Sequence, residues 1–139
     1  MHKQGYCLGF DFGLKKIGYA VGQFVTCTAQ PMGFILANNG IPNWQDIAHL
    51  IKEWRPNCLV LGLPTAVDGT ALSVTPKVLI FAQSLEQYQL PIYFSDERMT
   101  SKEARSQLFE QGGYRALRYG KVDSIAAALL LEQWMHQRD

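Results

Sequence analysis

Apolar positions along the chain follow two rhythms, and the change between them divides it. "GYCLGFDFG" (5–13) is apolar and aromatic with a glycine stop, which predicts a buried strand. "IGYAVGQ" (17–23) predicts its hairpin partner across the turn "GLKK". "CTAQPMGFIL" (27–36) predicts a third strand, and Pro31 argues for an edge position because proline cannot donate to a ladder. At "IPNWQDIAHLIKEWRP" (41–56) the period switches: Trp44, Ile47, Leu50, Ile51 and Trp54 fall at helical spacing and Pro56 ends the helix.

"CLVLGLP" (58–64) is continuously apolar, as suits a central parallel strand covered on both faces. "TAVDGTALS" reads as a loop. "TPKVLIFAQSLEQYQ" predicts a second helix with proline at its start, and "PIYFSDE" (91–97) another strand. "TSKEARSQLFEQGG" opens on a capping box (Thr100, Glu103) and closes on Gly112. "VDSIAAALLLEQWMHQ" (122–137) predicts the last helix. The order β-β-β-α-β-α-β-α-α predicts an α/β fold: a mixed five-stranded sheet, its first three strands an antiparallel meander, with helices on both faces.

Composition narrows this only a little. With 139 residues, 47% hydrophobic and 18% charged, the chain suits one domain spanning 1–139 with a real core. Its longest apolar run, Ser124 to Leu131 with its flanks, is too short to span a bilayer, and "MHKQGY" leads almost directly into the first strand. A cytoplasmic location is expected, with no membrane partner. Cys7, Cys27 and Cys58 form no C-x-x-C pair and sit in apolar runs, where cysteine acts as a small hydrophobe. His2, His49 and His136 share no ligand spacing and read as surface residues. The net charge of +1 leaves any nucleic-acid binding to local patches.

Three acids stand where the fold does not need them. Asp11 interrupts the first strand, Glu97 (with Asp96 beside it) ends the last, and Asp123 opens the last helix. Asp123 also suits a helix N-terminus through the dipole, and Asp96 and Glu97 also suit a solvated loop. Asp11 is harder to explain in that way, because an unpaired carboxylate in a buried strand costs several kcal/mol. Brought together, such acids repel by roughly 3 kcal/mol per pair at about 5 Å and an effective dielectric near 20. A cluster therefore calls for cations. Mg²⁺ suits hard carboxylate ligands and substrate phosphates, and two such ions serve phosphodiester cleavage. Since strand neighbours point to opposite faces, Asp96 and Glu97 should not share one site.

"LGFDFGLKKIGYAVG", "VLGLP…DGT", "SDERMTSKEAR" and "FEQGGYRALRYGKVDSIAAALLLEQW", in this order over nearly the whole chain, resemble the YqgF family, also called RuvX. The resemblance implies a ribonuclease H-like fold and a cytoplasmic nuclease dependent on Mg²⁺ or Mn²⁺. It implies a link to maturation of the 5′ end of 16S ribosomal RNA, Holliday-junction resolution being the older proposal. By position it assigns catalysis and metal binding to Asp11, Glu97 and Asp123. Leu14 stands where many members carry a small hydroxyl residue. The related RuvC resolvases resemble a four-acid pattern, and one turn after Asp123 this chain has Ala126 and Ala127. Three acids favour phosphodiester hydrolysis in general over junction cutting.

Substrate contacts are expected from Lys15 and Lys16 after the first strand, Arg98 beside Glu97, and Arg115, Arg118 and Lys121 in "GGYRALRYGK" (112–121). There cations alternate with Tyr114 and Tyr119, as suits phosphates and stacked bases. Asp68 reads as a turn residue first and a site residue second. The expected partners are precursor rRNA or branched DNA, and ribosomal particles, with the chain a monomer or homodimer. Two other readings start from the same residues. "D-x-G-x-x-x-x-G" also opens actin-like ATPases, which need two such domains. A non-catalytic RNA-binding ribosome-assembly factor would keep the fold without needing the acids.

Overall fold

The computed structural model describes residues 5–63, 75–96 and 121–137. The loop carrying Asp68, the helix expected from Thr100 and the basic loop 112–120 lie outside them. Within them run β1 (Tyr6–Asp11), β2 (Lys16–Gln23), β3 (Thr28–Asn38), β4 (Ile41–Pro42), α1 (Trp44–Trp54), β5 (Cys58–Leu63), α2 (Thr75–Leu85), a 3-10 turn (Glu86–Tyr88), β6 (Ile92–Asp96) and α3 (Lys121–Gln137). The sheet order is β4-β3-β2-β1-β5-β6. β1, β2 and β3 pair antiparallel, while β1, β5 and β6 run parallel.

The sequence predicts five strands, and among the described residues there are six. The extra one, Ile41–Pro42, falls in the stretch 41–56 whose spacing predicts a helix. Instead Asn38 pairs with Ile41 across Asn39 and Gly40, which stand at φ 52° and 87°. Positive φ at both loop residues is what a two-residue hairpin of the I′ kind requires, and Asn-Gly supplies it. α1 therefore starts at Trp44, with Asn43 as its N-cap: the Asn43 carboxamide oxygen accepts from the Gln45 N–H at 3.0 Å. Pro31 does lie on an open edge, since β4 covers β3 only at Ala37 and Asn38. Cys7 and Cys58 are buried thiols in strands as expected. Cys27 instead sits in the β2–β3 turn at φ 54°.

Strand alternation sorts the core into two layers. Leu8, Phe10, Ile17, Val21, Leu59 and Leu61 meet α1 and α2 through Ile47, Leu50, Val78, Phe81 and Leu85. Phe81 is the hub, with ring centroids 5.6–5.8 Å from those of Phe10, Phe12 and Trp44. On the other face Cys7, Ala20, Cys58 and Val60 meet α3 through Ala127, Leu130, Leu131, Trp134 and Met135. The Glu132 carboxylate accepts the Ala29 N–H at 2.9 Å and ties α3 to β3.

α3 lies unusually close because glycines face it. A Cβ on Gly9 would stand 3.0 Å from Leu131 Cβ and 3.2 Å from the Ala127 carbonyl oxygen. One on Gly22 would stand 2.8 Å from Cys7 Sγ. Gly9→Val is therefore expected to lift α3 and cost about 1–3 kcal/mol, the usual range for overpacking. Urea denaturation checks this, and an unchanged midpoint would contradict the close contact.

Candidate functional site

β1, β5 and β6 end at one edge of the sheet, the edge where open α/β sheets bind ligands. Asp11 is the last residue of β1 and is only 7% exposed. It shares its face with Cys7 and Gly9, the face covered by α3. On one side it pairs with Gly18 of β2. On the other, one step beyond the pair Phe10–Leu61, comes Gly62 of β5. Neither adjoining strand thus sets a side chain beside the carboxylate.

The same row continues outward in both directions. Gly62 pairs with Ser95 of β6, and Ser95 shares the face of Tyr93, whose ring centroid is 5.1 Å from that of Trp134 in α3. Gly18 pairs with Phe34 of β3. Across the sheet the row reads Ser95, Gly62, Asp11, Gly18, Phe34. Ser95 is buried, and among the described residues its Oγ and Trp54 Nε1 are the buried side-chain polar atoms with no hydrogen-bond partner.

α3 runs antiparallel to β1. Cys7 Sγ lies 4.0 Å from Met135 Sδ, whereas Gly9 faces Leu131 and Ala127. Two strand residues advance about 6.6 Å, close to the rise of four helix residues. One further step brings Asp11 level with the N-terminal end of α3, where residue 123 lies.

The turn after Asp11 is braced. The Ala37 N–H donates to the Lys15 carbonyl at 2.8 Å and the Gly40 N–H to the Leu14 carbonyl at 2.9 Å. A Cβ on Gly13 would run into the Lys16 carbonyl, so this turn admits glycine alone without shifting. Lys15 is exposed, and the Lys16 ammonium sits 4.7 Å from the Phe34 ring centroid.

Of the predicted site residues, Asp11, Lys15 and Lys16 have described side chains and gather at this edge. Glu97, Arg98, Arg115 and Arg118 lie outside the described residues. Asp96, Lys121 and Asp123 belong to β6 and α3, but their side chains are likewise outside the description. Sequence reasoning missed Ser95 and Phe34, which only strand register brings to Asp11's row.

A family model described as "RuvX: Holliday junction resolvase" matches residues 5–137. The chain belongs to the RuvX family. It is thus a nuclease, a hydrolase of phosphodiester bonds whose partner is nucleic acid. A Legionella pneumophila protein named "Putative pre-16S rRNA nuclease" is 49% identical over 98% of this chain and 99% of its own. An Aeromonas hydrophila protein of the same name is 50% identical over 94% of each. Among solved structures, fowlpox virus resolvase with Holliday junction DNA aligns with a TM-score of 0.57 at 15% identity, over 96% of this chain and 98% of that one. Thermus thermophilus RuvC with its junction substrate aligns at 0.53 and 18%, over 97% and 96%. These likenesses establish the ribonuclease H-like fold. Among the described residues no helix is long and apolar enough to cross a membrane.

A buried hydroxyl without a partner costs about 1–3 kcal/mol. Ser95→Ala is therefore expected to hold or raise the urea midpoint. A clear drop would mean that the hydroxyl is satisfied in the folded protein.

Proposed function

We propose that the chain is a divalent-metal-dependent endonuclease that processes the 5′ end of precursor 16S rRNA, with Asp11, Glu97 and Asp123 as its acids. The observation that carries this is Asp11 itself: a buried carboxylate between two glycines, at the ligand-binding edge of three parallel strands. A globular core has no use for a charge there. Strand alternation supports Glu97 over Asp96: Tyr93 and Ser95 share Asp11's face, and the next position in that series is 97. For Asp123 the support is its place in the first turn of the helix over that face.

Three carboxylates meeting there would repel one another, so the set fits a hard cation that prefers oxygen, Mg²⁺ or Mn²⁺. The Ser95 hydroxyl, buried and without a partner among the described residues, would suit the polar surroundings of such a group. When bound, the cation supplies positive charge against the phosphodiester and makes water a stronger nucleophile. The chain's own residues supply the rest. Asp11, Glu97 and Asp123 would hold the cation, and the two glycines leave the strand backbone open to approach. Lys15, Lys16, Arg98, Arg115, Arg118 and Lys121 hold the flanking phosphates, which fixes the register of the scissile bond.

The choice of precursor rRNA rests on the names of the relatives at about half identity, and ribosomal particles are where such a precursor would be met. Holliday-junction cleavage is the second reading, favoured by the family model's own description. It would need two sites related by a two-fold axis. Purified protein with Mg²⁺ or Mn²⁺ should cut a precursor 16S leader in preference to a four-way DNA junction; the opposite preference would select the second reading. Asp11→Asn should remove cleavage by more than the roughly 10- to 100-fold that loss of an outer partner of a metal ligand costs. Full activity in that variant would refute the site. Glu97→Gln should be far more damaging than Asp96→Asn, and the reverse order would show that the wrong face of β6 was chosen.

A further inference from the structure

Phe34 is a large apolar side chain left 39% exposed on the face that carries Asp11. It stands two strands away, about 10 Å by inter-strand spacing, and Gly18 between them raises no side chain. The Lys16 ammonium lies 4.7 Å from its ring centroid. Leu36, paired with Lys16 and 64% exposed, extends the apolar ground beyond it. Phe34 reaches this face through an irregularity. β2 and β3 keep one register up to Ala20–Pro31 and another from Tyr19–Gly33, which leaves Met32 as the extra residue of a bulge. A strand without the bulge would pair Gly33 with Gly18 and turn Phe34 to the α1 face, where it would be buried. The bulge thus takes an aromatic ring out of the core and sets it beside a cation in Asp11's row.

A ring and a cation, set about 10 Å from a phosphodiester-cleaving carboxylate, match the two parts of a nucleotide. We infer that Phe34, with Lys16 beside it, is a stacking platform for an unpaired base of the strand that is cut, so the substrate is single-stranded at that point. A phosphate drawn to Lys16 takes the ammonium off the ring, a weak contact at so exposed a place, and leaves the ring open to the adjoining base. A base held in a duplex has both faces stacked and cannot offer one. The platform therefore selects a single strand by shape and tolerates any sequence, since every base has a π-face. The inference rests on the nuclease reading for where the scissile phosphate lies, but it concerns binding and is tested by binding.

The test uses a short single-stranded RNA carrying 2-aminopurine, and a duplex of the same length, titrated in EDTA so that neither is cut. Wild-type protein should quench 2-aminopurine at one position of the single strand. Phe34→Ala should abolish that quench and weaken single-strand binding roughly ten- to a hundred-fold, leaving duplex affinity unchanged. Phe34→Trp should restore both quench and affinity, whereas Phe34→Leu, which keeps apolar bulk, should restore neither. Lys16→Met should lower the salt dependence of binding by about one unit of slope. Unchanged single-strand binding in Phe34→Ala, or equal losses for single strand and duplex, would overturn the inference. So would light scattering that shows a dimer lost with Phe34, since the ring would then belong to contacts between copies. Asp11→Asn should keep the Phe34-dependent quench. If wild-type protein cuts no nucleic acid yet shows that quench, the nuclease reading falls and the platform stands.

Discussion

The structure turns on the close contact between α3 and the two central strands. Gly9 and Gly22 face the helix, and a Cβ at either would meet atoms of Leu131 at 3.0 Å. At such a distance van der Waals packing holds the layers together and leaves no slack. α3 also runs antiparallel to β1, so its height above the sheet sets how near its N-terminal end comes to Asp11. Removing two side chains from the sheet lowers the whole helix. A core position that looks like a packing detail is in this way a constraint on the site's geometry.

The two faces of the sheet answer to different demands. Towards α1 and α2 the layer is filled by large rings around Phe81 and by branched aliphatics, and its most buried residues carry no polar side chain. Towards α3 the same strands offer Cys7, Gly9, Asp11, Gly18, Ala20 and Gly22, small residues apart from the one acid. Small residues bury little apolar area, so this face contributes less stability per residue. In exchange it lets the backbone approach a ligand and keeps the flanks of Asp11 clear. The buried hydroxyl of Ser95, without a partner among the described residues, belongs to the same trade.

Much of this could be read in the chain beforehand. Apolar runs closed by glycine or proline identify β1, β2 and β5, and the helical spacing of Ile47, Leu50 and Trp54 identifies α1. An acid in an apolar strand marks Asp11 as a candidate, and the structure buries it at the end of β1. β4 was missed although Asn39-Gly40 advertised it, because Ile41 and Pro42 also suit the approach to a helix and two residues show no period. Ser95 and Phe34 were beyond sequence reasoning for a physical reason. Their places in Asp11's row depend on register, and a one-residue slip in a strand turns every later side chain to the other face. The bulge at Met32 imposes such a slip, and nothing in "QPMGFIL" marks which residue is extra.

On the proposed function, that row of five positions separates chemistry from recognition. Asp11, the acid proposed for cleavage, sits in the middle, on a central strand, and its strand neighbours on both sides are glycines. Chemistry is thereby fixed by backbone. At the ends of the row stand a hydroxyl on β6 and, on β3, the strand whose outer edge is open, an aromatic ring with Lys16 of β2 beside it. Edge positions accept substitution more readily than central ones, because fewer neighbours must repack. Recognition can therefore change on β3 without disturbing the acid on β1. In this chain the open edge carries an exposed phenylalanine beside Lys16, the pair inferred above to take a base and its phosphate.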